Sequence, residues 1–288
     1  MDLICVGDVM LDVRVDAAAL ARGGDVHGRV ALRPGGTSAN AAVWAASTGA
    51  SARVLGRIGD DVVGRMLRSE LEAHGVDAAL VEDPDAPTGT MLVVIEAGER
   101  SMVADRGANA RLTPADLPDE LRAGAVLVSG YLLLQEGAQE AGIEAIRRAR
   151  TDWIAVEAGT WPIVEALGAD GFDAVAKGAT LVLANEREAE VLTGMAADGA
   201  ARALGERYRG VCVKRGARGA VMVLDGRRHE AATEPIDAID PTGAGDAFDG
   251  VLLASLAAGA EPEGALAAAC RAGARVAAGP AAWPEVPA

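Results

Sequence analysis

Three short apolar runs, at 125–129, 153–157 and 180–183, alternate with segments of helical spacing at about 136–149 and 162–167. Uninterrupted apolar runs of four or five residues suit strands buried on both faces, and strands spaced by helices suit a parallel sheet. This alternation predicts an α/β fold with three layers, α/β/α, around a mostly parallel central sheet. Residues 3–6, ending in Gly7-Asp8, read as a buried first strand, and 52–58 as another. Gly59-Asp60-Asp61-Val62-Val63-Gly64 opens a capped helix that runs to His74, a residue expected to be solvated at the helix end. Residues 88–95 and 101–104 are rich in strand formers and joined by Ala97-Gly98-Glu99-Arg100, a hairpin signal. The 288 residues contain no Pro- or Ser-rich linker and no repeat, so a single domain over 1–288 is expected.

Half of the residues are hydrophobic but only 3% are aromatic, so the helices are expected to pack closely through small side chains. The formal net charge of −15 argues against nucleic acid and anionic membrane surfaces as partners. A local cluster of positive groups would still admit an anionic substrate. Cys5, Cys212 and Cys270 are odd in number, share no metal-binding spacing, and read as core thiols in a reducing compartment. Met1-Asp2-Leu3 lacks the basic region and long apolar run of a signal peptide. Residues 34–52 are uncharged but built of small and polar residues, and would insert poorly into a bilayer. A cytoplasmic location is expected. His27, His74 and His229 form no cluster, and no histidine is assigned a catalytic role.

The chemistry concentrates in Asp240-Pro241-Thr242-Gly243-Ala244-Gly245-Asp246-Ala247-Phe248. Ala247, Phe248, Val251, Leu252 and Leu256 recur at helical spacing, so 243–246 form the first turn of a helix. The first N–H groups of a helix lack internal partners, the helix dipole puts positive charge there, and glycine lets an anion come close. Such a turn suits a phosphate. Asp246 would repel one, which a plain binding loop would avoid. Held ionised at the helix start, it is placed to take the proton of a hydroxyl that attacks a terminal phosphate. A Gly-rich helix start whose Asp complements the dipole is the structural alternative. No G-x-x-x-x-G-K-[ST] run occurs, and Phe248 stands where a dinucleotide fingerprint needs its third glycine.

This run resembles the C-terminal signature of the ribokinase-like carbohydrate kinases, the PfkB family, although Pro241 stands where the family usually has Thr. Pro34-Gly35-Gly36-Thr37-Ser38-Ala39-Asn40 resembles the family's N-terminal signature, and the resemblance covers essentially the whole chain. It implies an ATP-dependent, Mg²⁺-assisted kinase of a small sugar or sugar acid. Asp246 would be the base, with the backbone amides of Gly243, Ala244 and Gly245 as an anion hole. Asp12, Gly35, Gly36 and Asn40 would hold the substrate, with Arg106 and Asn109 near it; an ion pair at the surface is the alternative for Arg106.

The resemblance reaches further. Asn185 and Glu188 match an Asn-x-x-Glu motif that acts near metal and phosphates, although an N-capped acidic helix start would use the same residues. The turn from Lys214 through Gly216 and Gly219 resembles the nucleotide side, where Lys214 or Arg215 would meet phosphate charge; a plain hairpin turn is the alternative. Gly273, with Ala274 and Ala277, resembles the adenine wall. Asp240 lies where many members bind a monovalent cation such as K⁺. Lid strands from about 13–33 and 88–106 would cover the substrate and join two copies as a homodimer. The acceptor stays open among sugars, sugar acids, phosphosugars and nucleosides, with Trp44 and Trp161 as candidates for stacking on a base. A sensor that kept this fold without turnover is the rival reading.

Overall fold

The computed structural model describes residues 1–21, 23–96, 99–134, 136–279 and 281–285. In chain order its main strands are β1 (Leu3–Val6), β2 (Met10–Ala17), β3 (Arg29–Gly35), β4 (Ala52–Gly59), β5 (Val76–Asp83), β6 (Thr90–Glu96) and β7 (Glu99–Asp105). There follow β8 (Ala125–Val128), β9 (Trp153–Glu157), β10 (Leu181–Asn185), β11 (Gly210–Lys214), β12 (Ala220–Leu224) and β13 (Arg227–Ala231). The helices are α1 (Thr37–Ser47), α2 (Val62–Ala73), α3 (Gly130–Leu133), α4 (Gln139–Arg148), α5 (Trp161–Val175), α6 (Glu186–Thr193), α7 (Ala197–Gly205), α8 (Ala244–Ala257) and α9 (Pro262–Ala277).

Nine strands form one sheet, in the order β13-β12-β11-β10-β9-β8-β1-β4-β5. Every pairing from β11 to β5 is parallel, and β12 and β13 add an antiparallel edge. The two faces are sorted by the period-2 alternation of the strands. Leu3, Cys5, Leu127 and Leu183 pack with α1, α2, α8 and α9, whereas Ile4, Val6, Val128 and Val182 pack with α4 to α7. The outcome is the expected three-layer α/β/α arrangement, with β5 and β13 as edges whose charged, polar sequences hid them from the apolar-run reading. The helix expected to stop near 167 breaks at Gly168 (φ 74°) and resumes to Val175. Small residues do bring helices close. A Cβ on Gly250 of α8 would lie 2.0 Å from the backbone oxygen of Ala41 in α1.

The second, smaller sheet has the order β3-β2-β6-β7 and supplies the anticipated lid. The middle of its expected hairpin connection, 97–98, lies outside the described residues. Among the described residues no helix is long and apolar enough to cross a membrane. All three cysteines are buried and free of disulfides, and burial pushes their thiols up.

Candidate active site

Gly243 caps α8 in the left-handed conformation (φ 80°), which glycine adopts without strain. The loop before it is tied by Asp240, whose Oδ1 accepts from the Thr242 N–H (3.0 Å) and Oγ1 (2.7 Å). The Ala244 N–H donates to Pro241 O (3.1 Å) and the Ala247 N–H to Gly243 O (2.9 Å). Ala244, expected among the anion-hole donors, therefore has its N–H committed to the turn. The N–H groups of Gly243, Gly245 and Asp246 have no backbone acceptor among the described residues, so three donors gather at this helix start.

This turn is a wall between two cavities. Gly243 and Asp246 face one of about 450 Å³, and Ala244 and Gly245 face another of about 480 Å³. The first opens among β1, β2, α1 and the lid, and is lined by Asp8, Asp12, Gly36, Asn40, Arg106 and Glu157, with Met91 and Met102 overhead. The second is lined by Lys214, Gly216, Gly219 and Gly273 beside the apolar Ile236, Phe248 and Ala274. It is largely apolar, which suits a heteroaromatic ring.

In the first cavity, Asp12 projects from β2, and burial, reinforced by the nearby Asp246 charge, pushes its carboxyl up to about 6. Gly35, expected to touch substrate, instead makes room for Asp12: a Cβ there would fall 2.6 Å from Asp12 Oδ2. Gly36 (φ 99°) does line the cavity, and a Cβ on it would strike Asp8 O at 2.4 Å. Arg106 donates to Asp8 Oδ1 (2.6 Å) with both side chains nearly buried, so its charge is balanced inside the protein. Asn109 is a correction. It does not line the cavity, because its Oδ1 accepts from the Val9 N–H (3.0 Å) and its Nδ2 donates to Val9 O (3.0 Å), fixing the loop after β1. Asn40 lines the cavity, but its Nδ2 donates to Asp246 Oδ2 (2.7 Å) and its Oδ1 accepts from Trp283 Nε1 (2.6 Å). The sequence showed none of this commitment of the Asn40 amide to protein partners.

Burial pushes the Asp246 carboxyl up, against the Asn40 hydrogen bond and the Lys214 charge, which favour the ionised form. Desolvation therefore outweighs both the Asn40 hydrogen bond and the Lys214 charge. Lys214 Nζ donates to Asp249 Oδ2 (2.7 Å), and Asp249 sits three residues beyond Asp246 on the same helix face. Burial lifts Asp249 to about 6 although Lys214 opposes it. Lys214 itself is raised: burial would lower it, but Asp249, Glu157 and Glu188 outweigh that.

Asn185 and Glu188 form a reciprocal capping box. Asn185 Oδ1 accepts from the Glu188 N–H (3.0 Å), and Glu188 Oε2 accepts from the Asn185 N–H (2.8 Å). The structural alternative for this motif is thus realised, while Asn185 also lines the substrate-side cavity. Asp249 and Glu157 both escaped the motif reading. Glu157 is buried at the end of β9, held well above its usual range by that burial, and its Oε2 has no partner. An acid closing an apolar run at the carboxyl end of a parallel strand was the available signal.

The donor set can be tested against Mg²⁺ and K⁺. Among the described residues no three His, Cys, Asp or Glu side chains gather to cage a metal. Magnesium keeps several waters and shares itself with phosphate oxygens, so it needs few protein ligands. The orphaned Glu157 oxygen beside Asn185, with Glu188 behind, fits that requirement. A monovalent cation on the Asp240 side chain does not fit. That carboxylate accepts from Thr242 and is ion-paired with Arg14 of β2, which already supplies the positive charge.

In the second cavity, Gly219 (φ 79°) must be glycine, since a Cβ would lie 2.0 Å from Ala231 O. Gly273 brings α9 against α8, with a would-be Cβ 3.1 Å from Ala244 O. Arg215 turns away to Asp198 and Glu230, whereas Lys214 lines the second cavity. Neither proposed stacking tryptophan reaches the substrate cavity. Trp44 donates to Ala282 O (2.7 Å), and Trp161 lies under Arg187 at the surface. His74, expected to be solvated, is partly covered by Trp283, with ring centres 5.0 Å apart.

A Gly-rich helix start bearing a carboxylate thus stands between a polar and an apolar cavity beneath a small β lid. The pfkB family carbohydrate kinase model matches residues 1–283, and the chain belongs to that family of ATP-dependent carbohydrate kinases. It is 31% identical over 273 residues to a fructokinase of Klebsiella pneumoniae, covering 90% of this chain and 85% of the relative. Among solved structures it resembles adenosine kinase from Sinorhizobium meliloti (TM-score 0.87, 23% identity, 98% of this chain and 95% of that one). It likewise resembles a putative ribokinase II from E. coli in complex with ATP and Mg²⁺ (TM-score 0.82, 20% identity, 98% and 94%).

Proposed function

We propose that this kinase transfers the terminal phosphoryl group of ATP to a hydroxyl of a small, neutral sugar or sugar-like molecule. The observation that carries this reading is the single turn at 243–246 walling two cavities, one rich in carboxylates and one largely apolar. The acceptor lies against Asp12 and Gly36. Asp246 takes its hydroxyl proton as the oxygen attacks phosphorus; the bond to the bridging oxygen breaks and ADP leaves. The Gly243, Gly245 and Asp246 N–H groups meet the charge on the transferring group. Bound Mg²⁺ would neutralise phosphate charge; Glu157, Asn185 and Glu188 are the residues that would hold it and its waters. The lid keeps water from intercepting the phosphoryl group. The chain works as one ribokinase-like unit, and two copies pair through the lids.

Arg106 bears on the acceptor. Because Asp8 balances its charge, and Asp12 and Asp246 add carboxyl groups beside it, a sugar acid is disfavoured. A nucleoside is the second reading, favoured by Met10, Met91 and Met102, whose polarisable side chains suit a heteroaromatic face. The test is ADP release from Mg·ATP across neutral sugars, sugar acids and nucleosides, in wild type and Asp246→Asn. We expect the variant to lose roughly 10²–10⁴-fold in turnover while still binding ATP. Near-wild-type turnover in that variant would remove Asp246 from the mechanism.

A further inference from the structure

Residues 281–285 fold back onto the catalytic turn from the far end of the chain. Ala282 packs at Gly243, where an added Cβ would lie 2.8 Å from the Ala282 Cβ. Trp44 Nε1 donates to Ala282 O (2.7 Å), and His74 Nε2 lies 3.1 Å from Pro284 O. Between these anchors the Trp283 Nε1–H donates to Asn40 Oδ1 (2.6 Å), and Asn40 Nδ2 donates to Asp246 Oδ2 (2.7 Å).

The chemistry of these groups fixes the direction of the chain of bonds. An indole N–H can only donate, so it can meet only the oxygen end of the Asn40 amide. The nitrogen end then faces Asp246. The Asp246 carboxylate, which only accepts when ionised, selects the same orientation, and the indole adds a second tether at the oxygen end; without it the amide is held at one end only and is free to swing about that bond. Asp246 Oδ1 receives no side-chain hydrogen bond among the described residues.

We propose that Trp283 is a positioning residue for phosphoryl transfer, locking the Asn40 amide so that Asp246 Oδ2 is held and Oδ1 is left for the acceptor hydroxyl. The inference rests on Asp246 being the base. The other charged groups that bear on Asp246 are Lys214 from β11, Asp12 from β2, Glu157 from β9, Glu188 from α6 and Asp249 from its own helix. Among the described residues no hydrogen bond joins any of them to Trp283, and the hydrogen-bonded path from Trp283 to Asp246 runs through Asn40.

Trp283→Phe keeps a ring and removes the N–H. We expect turnover to fall about 10-fold with KM for ATP unchanged. The acidic limb of the kcat profile should move to higher pH by roughly half a unit, as the ionised carboxylate loses a hydrogen bond. A loss of packing alone would lower the melting temperature without moving that limb. Asp246→Asn is assayed alongside. An inactive Asp246→Asn with Trp283→Phe matching wild type in kcat and acidic limb overturns the positioning role and leaves the base in place. An active Asp246→Asn overturns the base itself. Should Trp283→Phe not fold, hydrogen exchange of the Trp283 indole in the wild-type protein decides the matter. Slow exchange is expected, and exchange at the rate of an exposed indole overturns the inference.

Discussion

Asp12 works against its own solvation. A carboxyl whose pKa rises from 3.8 to about 6 on folding binds its proton more tightly in the native state than in the unfolded one. Stability therefore declines as pH rises from about 4 through 6, and the full penalty stands above that window. Asp12→Asn removes the charge, so we expect its melting temperature to exceed that of wild type by a few degrees at pH 8, with the gap closing by pH 4.5. Acceptor KM should rise at least about 10-fold in the same variant, because a hydroxyl partner is lost. Calorimetry at the two pH values and steady-state kinetics check the two halves of this trade separately. Asp240 carries the second prediction at this scale. Its pairing with Arg14 leaves no need for a monovalent cation there, so exchanging KCl for tetramethylammonium chloride should change kcat by less than about 2-fold. A strict potassium requirement would show that the cation binds without this carboxylate or displaces the arginine.

At the scale of elements, the crossing of α1 and α8 decides how well the site is held. α1 carries Asn40 and α8 carries Asp246, and the two can share a 2.7 Å hydrogen bond only if their backbones meet closely. Gly250 allows this, since any Cβ there would sit within 2.0 Å of Ala41 O. Gly250→Ala should force the helices apart, costing about 2–3 kcal/mol and lowering turnover together with the melting temperature. A variant as stable and active as wild type would show that the crossing has slack. The apolar strands and small-residue helices were legible because they depend on near neighbours in sequence. β5 and β13 were not, because an edge strand is recruited by the sheet beside it, whatever its own pattern. Asn185 and Glu188 show the same limit from the other side. Their spacing suits both a capping box and a metal site, and the backbone uses it for the cap.

For the whole molecule, the outer lid leaves Val30, Leu32 and Val103 exposed at 66%, 61% and 65%. Two of these alternate along β3, giving one apolar stripe, and a stripe of this kind on an edge strand invites a partner. The homodimer proposed above would cover it. Light scattering of wild type should then give twice the mass of one chain, and Val30→Asp with Leu32→Asp should give a single chain with its melting temperature little changed. A monomeric wild type would remove the lid pairing. What the sequence by itself determined is which stretches become strands, helices and a glycine-capped helix start, and that a carboxylate lies in that first turn. These features are set by residues a few positions apart. Tertiary structure alone decided which polar groups are spent on one another: Asn109 on Val9, Arg106 on Asp8, Arg14 on Asp240 and Trp283 on Asn40. A buried polar group must find a partner wherever the fold brings one, and here those partners lie as far as 243 residues away, beyond the reach of any local pattern.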